Sequence, residues 1–370
     1  MNEQKNRKKL KTISGFNKAL VKPKNLNKRS QNIEHIQQKK ITSRSNTKKL
    51  YTVSVALPGS IIDNAQSIEL KTYLAGQLAR SFAVFNVDEI VIFNELGIRK
   101  NSETFTTQID SHTKNKREEG ISSDPNVFLA RILQYLETPQ YLRKELFPVH
   151  QDLTYAGLLN PLDCPHHVRK EEKSPFREGV IIDKKPKSGE TSLVNAGLSK
   201  YVIIDKSIKP GVRVTLDMGN YEISKNDHQY IEAKVISPKV PKQHGLYWGY
   251  NIRIADSISK VFTECSYPGG YDVAIGTSER GKVVDDVIDD LPEFNHLLVV
   301  FGGLGGIEAA IDVDEDLKCS GEEADALFDL WINTCPDQGS RTIRTEVSLF
   351  KKFFIISYRM VIPYFFRKLC

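Results

Sequence analysis

Apolar strands alternating with amphipathic helices begin at Tyr51, break off near residue 175 and resume after residue 250. Between them, from Phe176 to Tyr250, lie short β-type runs (EGVIID, KYVIID, RVTLDM and YIEAKVI) punctuated by Gly and Pro. Neither flanking stretch carries enough strands to complete a sheet alone. The expected architecture is therefore one α/β domain interrupted by a β insertion. The insertion's size and strand spacing suit a small barrel of the oligonucleotide-binding kind, and an SH3-like barrel would give much the same pattern.

Within the first α/β stretch, YTVSVALPG reads as a buried strand stopped by Pro58-Gly59. Asp63 is placed to cap a helix carrying Ile68, Leu70, Leu74, Leu78 and Phe82 at helical intervals, and EIVIF (89–93) is a second strand. Strand, helix, strand predicts parallel pairing. Residues 101–123 lack an apolar period and read as a long disordered or substrate-facing loop. Helical spacing returns after Pro125 in Val127, Leu129, Ile132, Leu133 and Leu136, up to Pro139. The predicted organisation is a disordered arm (1–50), an α/β part (51–175), the β insertion (176–250), a second α/β part (251–346) and an atypical tail (347–370).

Charge divides the chain in the same way. Residues 1–50 carry 15 Lys/Arg against Glu3 and Glu34, a net of +13, whereas residues 51–346 carry a net of −12 and the last 24 residues +5. A polyanion would meet the arm first. With 40% hydrophobic and 26% charged residues over 370 positions, the chain is neither largely disordered nor a membrane bundle. Five scattered cysteines give no disulfide framework, so a reducing compartment is expected. KNRKKLK (5–11) reads as a nuclear-import or nucleic-acid patch, or as part of a solvated tail.

In the C-terminal part, three buried strands each run into small, hydrogen-bonding residues: Gly276–Gly281 (GTSERG), Gly302–Gly306 (GGLGG) and Asn333–Ser340 (NTCPDQGS). In an open parallel sheet such turns gather at the carboxyl ends of the strands, where ligands bind, and glycine lets a backbone approach a ligand closely. A dinucleotide reading is weak, because the GGLGG turn lacks the third glycine of G-x-G-x-x-G and no Walker lysine follows.

TSERG, VVFGGLGGIEAAID and NTCPDQGSRTIRTE resemble the cofactor loops of the SPOUT, or α/β-knot, RNA methyltransferases. Within them the match is to the SPOUT-domain-containing methyltransferase 1 group, also called the centromere protein 32 group. VALPGSIIDNAQSIELKTYLAGQLARSF, LDCPHHVR, GLYWGY and FTECSYPGGYD extend the resemblance over nearly all of 51–346. It implies a trefoil-knotted α/β fold with an inserted OB-like domain, a homodimer, S-adenosyl-L-methionine as methyl donor and RNA, expected to be rRNA, as acceptor. It also implies a nuclear or nucleolar location with spindle or kinetochore association. Carried over by position, the donor would be held by Thr277, Arg280, Gly302, Gly303, Asn333, Thr334, Gln338, Gly339 and Ser340, largely through backbone groups. If the acceptor is uridine N3, its proton must leave, so a carboxylate or water could act as base and an arginine could stabilise the anion. Glu279, Glu308, Arg341 and Arg344 are the candidates, each with an ordinary structural use as its alternative. The competing functional reading is a silent RNA-binding or spindle-associated scaffold.

Other residues invite chemistry less strongly. Cys164, His166 and His167 lack a second ligand pair at finger spacing, so no metal is expected. Cys335 precedes a proline in a turn that already has a binding role. Tyr247, Trp248 and Tyr250 could stack on bases or fill a junction core. After Glu346 the sequence departs from the family pattern, and Ile343, Val347, Phe350 and Phe354 form a candidate apolar stripe.

Overall fold

A computed structural model describes residues 51–97, 124–184, 191–219, 230–341 and 343–349. The basic arm, the loop expected at 101–123 and the tail positions Phe350 and Phe354 lie outside the described residues. Strands β1 (Thr52–Pro58) and β2 (Glu89–Phe93) precede β3 (Phe176–Ile182), β4 (Ser192–Asn195), β5 (Val202–Ile204), β6 (Arg213–Asp217) and β7 (Ile231–Ile236). They are followed by β8 (Asn251–Ala255), β9 (Val273–Val283), β10 (His296–Val300) and β11 (Leu330–Asn333).

Strands from both sides of the insertion enter one six-stranded sheet of order β11-β9-β10-β1-β2-β8, and every pair in it is parallel. Sheets of this kind are covered on both faces. Along β1, Val53, Val55 and Leu57 enter one core while Ala56 enters the other, as the two-residue period of a strand requires. Helices α1 (Ile68–Val84) and α2 (Pro125–Glu137) cover the first face with Leu78, Phe82, Leu129 and Leu133, all fully buried. Truncating such a residue to alanine typically costs about 2–5 kcal/mol.

The start of α1 differs from the expectation. Residues Gly59–Asn64 form a 3-10 turn after Pro58, so Asp63 lies within that turn and pairs with Lys71 at 2.7 Å. Ser67 takes the cap position instead, its hydroxyl accepting from Leu70 N at 3.4 Å. Ile68 and Leu70 are consequently exposed. Helix α2 starts as predicted, with Asp124 accepting from Asn126 N at 2.8 Å and Pro125 in the first turn.

The five strands β3 to β7 close into a barrel of order β3-β4-β5-β7-β6, in which only β5 and β7 are parallel. The barrel is tied to the sheet through buried charge. Arg213 on β6 donates to Glu137 Oε2 at 2.6 Å, at the end of α2, and to Glu178 Oε2 at 2.7 Å on β3. Trp248 Nε1 donates to Glu178 Oε1 at 2.5 Å and Tyr250 OH to Leu133 O at 3.1 Å. Both aromatics are buried, so they form the junction core and not a base-stacking surface. Tyr247, partly buried, donates to Val87 O at 2.9 Å.

Residues 345–349 form a helical turn in which Ser348 and Leu349 are buried, whereas Val347 is exposed. The buried side of this turn is therefore not the stripe expected from Ile343 and Val347.

Candidate functional site

β9 does not end at Gly276, as a loop at GTSERG requires, but continues to Val283. Its register against β11 jumps: Leu330 and Trp331 face Ile275 and Gly276, whereas Ile332 and Asn333 face Lys282 and Val283. Thr277–Gly281 have no counterpart on β11 and leave the ladder as a finger. Glycine is needed at both ends of it. A Cβ on Gly276 would come 2.4 Å from the Trp331 ring, and one on Gly281 2.4 Å from the Ile332 carbonyl carbon. Thr277 Oγ1 pins the finger's base to Val300 O at 3.0 Å.

The second turn joins β10 to helix α3 (Gly306–Asp312). It is tight enough that a Cβ on Gly302 would lie 2.4 Å from Gly306 C, and Gly306 itself has φ +78°. Leu304 at its tip is 81% exposed.

The three turns meet. Ser278 Oγ donates to Glu308 Oε1 on α3 at 2.6 Å; Asn333 Nδ2 donates to Glu279 O at 3.0 Å; and Gln338 Nε2 donates to Glu279 Oε1 at 2.9 Å. From further along the chain, Thr345 Oγ1 donates to Gly302 O at 3.1 Å and Thr334 Oγ1 lies 2.9 Å from Ser348 Oγ. The side chains of Thr277, Asn333 and Thr334 thus build the turns, and Glu279 and Glu308 join them. Asn333 Oδ1 also accepts from Cys335 N at 2.9 Å, which gives the Asn-Thr-Cys sequence a turn-forming role. Arg280, Arg341 and Arg344 are exposed and make no ion pair among the described residues. Gly339 is exposed, with nothing within 4 Å of where its Cβ would lie. Gln338 Oε1 is buried and accepts no hydrogen bond, although its amide is oriented by Glu279 and by Arg341 O.

Sequence reasoning passed over two residues at this edge, Ser60 and Glu95. Glu95 follows β2, and its carboxylate accepts from Ser60 Oγ beyond the end of β1. The same carboxylate lies against Gly303, where a Cβ would come 2.2 Å from Glu95 Oε2. Their place just past strand carboxyl ends was the available signal.

The Cys164, His166 and His167 cluster lies elsewhere, at the end of α2, with candidate ligand atoms within 4.8 Å of one another. Both imidazoles turn Nε2 to Glu137 O, at 2.8 and 2.7 Å, which suits a helix end with carbonyls to satisfy. Burial pushes the Glu137 carboxyl up, but Arg213 and His166 outweigh it and hold the group well below the usual carboxylate range. Burial, then His166, holds His167 down at about 3, and burial pushes the Cys164 thiol up to about 12. Two cavities also lie away from the three turns, one beside Lys71 and Phe128 and one of about 290 Å³ on the barrel beside Lys170 and Leu198.

The family described as "Putative RNA methyltransferase" matches residues 52–353, which span the sheet, the barrel and all three turns. The chain belongs to this RNA methyltransferase family. Its relatives include the mouse protein named 28S rRNA (uridine-N(3))-methyltransferase, 51% identical over 83% of this chain and 76% of its own length. The human protein of the same name is 52% identical over 81% of this chain and 76% of its own length. That of Drosophila melanogaster is 48% identical over 80% of this chain and 60% of its own length. An RNA methyltransferase has to bring a methyl donor and an RNA nucleotide together. No helix among the described residues is long and apolar enough to cross a membrane.

Proposed function

We propose that this methyltransferase is a SPOUT enzyme that modifies ribosomal RNA at N3 of a uridine, using S-adenosyl-L-methionine bound among the three turns. The observation that carries the reading is their convergence on the β9 finger, where Glu279 bonds Asn333 and Gln338 of the third turn and Ser278 bonds Glu308 of the helix that follows the second. The names and half-identity of the mouse and human relatives support the rRNA and N3 assignments. A knotted chain is supported by the return of Thr345–Leu349 onto Gly302 and Thr334, with Leu349 buried in the core. The closed five-stranded insertion is read as an OB-like barrel that, with the basic arm, captures RNA. The working unit is a homodimer, and its place of action is the nucleus or nucleolus.

The residues present fit the donor. Gln338 Oε1 is an oriented, unspent acceptor for an adenine amino group, and the Arg280 guanidinium can meet a carboxylate. Backbone groups at Gly302, Gly303, Gly339 and Ser340 complete the cradle. When bound, the donor supplies an electrophilic methyl group that has to be placed and kept from water more than activated. Glu279 and Glu308 keep the turns together. Arg341 and Arg344 supply positive charge for RNA phosphate or for the anion developing on the base. Calorimetric titration of the full chain with S-adenosyl-L-methionine tests the cradle. Saturable binding that Gln338→Leu weakens is expected; no binding by the folded protein would overturn the reading.

A further inference from the structure

Transfer to N3 requires that a proton leave the base. Among the carboxylates of the donor turns, Glu308 and Glu279 accept from Ser278 and Gln338 in bonds that hold the turns to one another, and Asp337 is exposed. Glu95 differs in origin and in surroundings. It enters from β2, outside the donor turns, and its carboxylate packs on Gly303 of the second turn. One oxygen, Oε1, accepts from Ser60; Oε2 has no hydrogen-bond or ion-pair partner among the described residues. The support behind it is built in series. Asp124 caps α2 and accepts from both Asn126 N and Asn126 Nδ2, at 2.8 and 2.9 Å. Asn126 Oδ1 then accepts from Gly59 N at 3.0 Å and fixes the turn that carries Ser60. A Cβ on Gly59 would come 2.4 Å from Asn126 Oδ1, so this contact admits only glycine without a shift.

We propose that Glu95 is the general base that accepts the N3 proton of the target uridine, with Ser60 and Asn126 as positioning residues. This rests on the uridine-N3 reading above. The N3–H bond breaks as the Oε2–H bond forms, and the electron pair left on N3 forms the N–CH₃ bond while the donor's C–S bond breaks onto sulfur. The proton then passes from Glu95 to solvent. Entry from β2 places the base on a different strand from the cradle, which lets one side of the cleft serve the donor and the other the nucleotide. The Ser60 hydroxyl and the Gly303 backbone face the carboxylate, and no Lys, Arg or His pairs with it among the described residues.

The test uses the full chain, an rRNA transcript and single-turnover kinetics across pH, with donor affinity measured separately by calorimetry. Glu95→Gln should slow N3 methylation at neutral pH by about 100-fold or more. It should leave donor affinity within about twofold, and its rate should climb with pH as uridine ionises unaided. Glu95→Asp should retain an intermediate rate with a pH profile like that of the unaltered enzyme. A Glu95→Gln rate within threefold of the unaltered enzyme, or a joint loss of rate and donor affinity, overturns the base assignment while the N3 reading stands. An unaltered enzyme that methylates another atom overturns both.

Discussion

Gly302 and Gly339 are both assigned to the proposed donor cradle but answer to different constraints. At Gly302 a Cβ would meet the Gly306 backbone at 2.4 Å, and backbone on both sides leaves nothing to yield, so Gly302→Ala should displace the turn. A loss of about 1–3 kcal/mol in denaturant unfolding is expected, with weakened donor binding. At Gly339 there is open space. Gly339→Trp should therefore unfold within about 0.5 kcal/mol of the unaltered protein, yet lose donor affinity by about tenfold or more, or 1.4 kcal/mol. Unchanged affinity would remove Gly339 from the cleft. His167 makes a prediction about pH. Its folded value of about 3 lies below the ordinary 6.5, so between these limits the unfolded chain binds the proton and the folded one does not. Stability should fall as pH drops from about 6.5 towards 3. Urea unfolding at pH 7 and pH 5 should show the loss, and His167→Gln should reduce it.

Among the elements, five of the six sheet strands were legible because burial on both faces leaves continuous apolar runs such as EIVIF, whereas Arg253 breaks the run of β8 (NIRIA) and polar Ser192 and Asn195 leave β4 (SLVN) only two apolar residues. The Ser67 cap was hidden by an unforeseen 3-10 turn that consumed Asp63. The three turns announced themselves by composition, but the finger in β9 did not. A register jump opposite Trp331 and Ile332 is a property of the pair of strands, invisible in either alone. Glu95 was passed over for a related reason, since its partners Ser60 and Gly303 become neighbours only when β1, β2 and β10 align. The barrel attachment offers a test at this scale. Arg213 is 27% exposed and pairs with Glu137 and Glu178, whose side chains are 10% and 4% exposed. Arg213→Met removes the guanidinium from two buried carboxylates, leaving Glu137 to His166 and Glu178 to the neutral donors Trp248 and Thr215, and should cost about 3 kcal/mol. Calorimetric unfolding should show the loss, and a cost below about 1 kcal/mol would mean that apolar contacts alone hold the junction.

For the molecule as a whole, the proposed function divides along the charge, with the arm holding RNA and the sheet acting on it. The first 50 residues carry a net of +13 beside a middle of net −12. Deleting residues 1–50 should flatten the slope of log affinity against log salt in RNA binding and leave donor affinity unchanged, because phosphate contacts release counterions and the cradle makes none. An unchanged slope would assign the phosphate contacts to the barrel and sheet. The order in which β1 and β2 join β8–β11 across the insertion lets distant segments share one carboxyl edge, and the enzymatic reading depends on that edge. The full chain incubated with S-adenosyl-L-methionine and rRNA, followed by nucleoside mass spectrometry and site mapping, measures the outcome directly. The account predicts N3-methyluridine at a defined position, reduced about tenfold or more by Gly339→Trp when the donor is held below its Kd. Methylation of another atom, or undiminished N3 methylation with the cleft blocked, would contradict it.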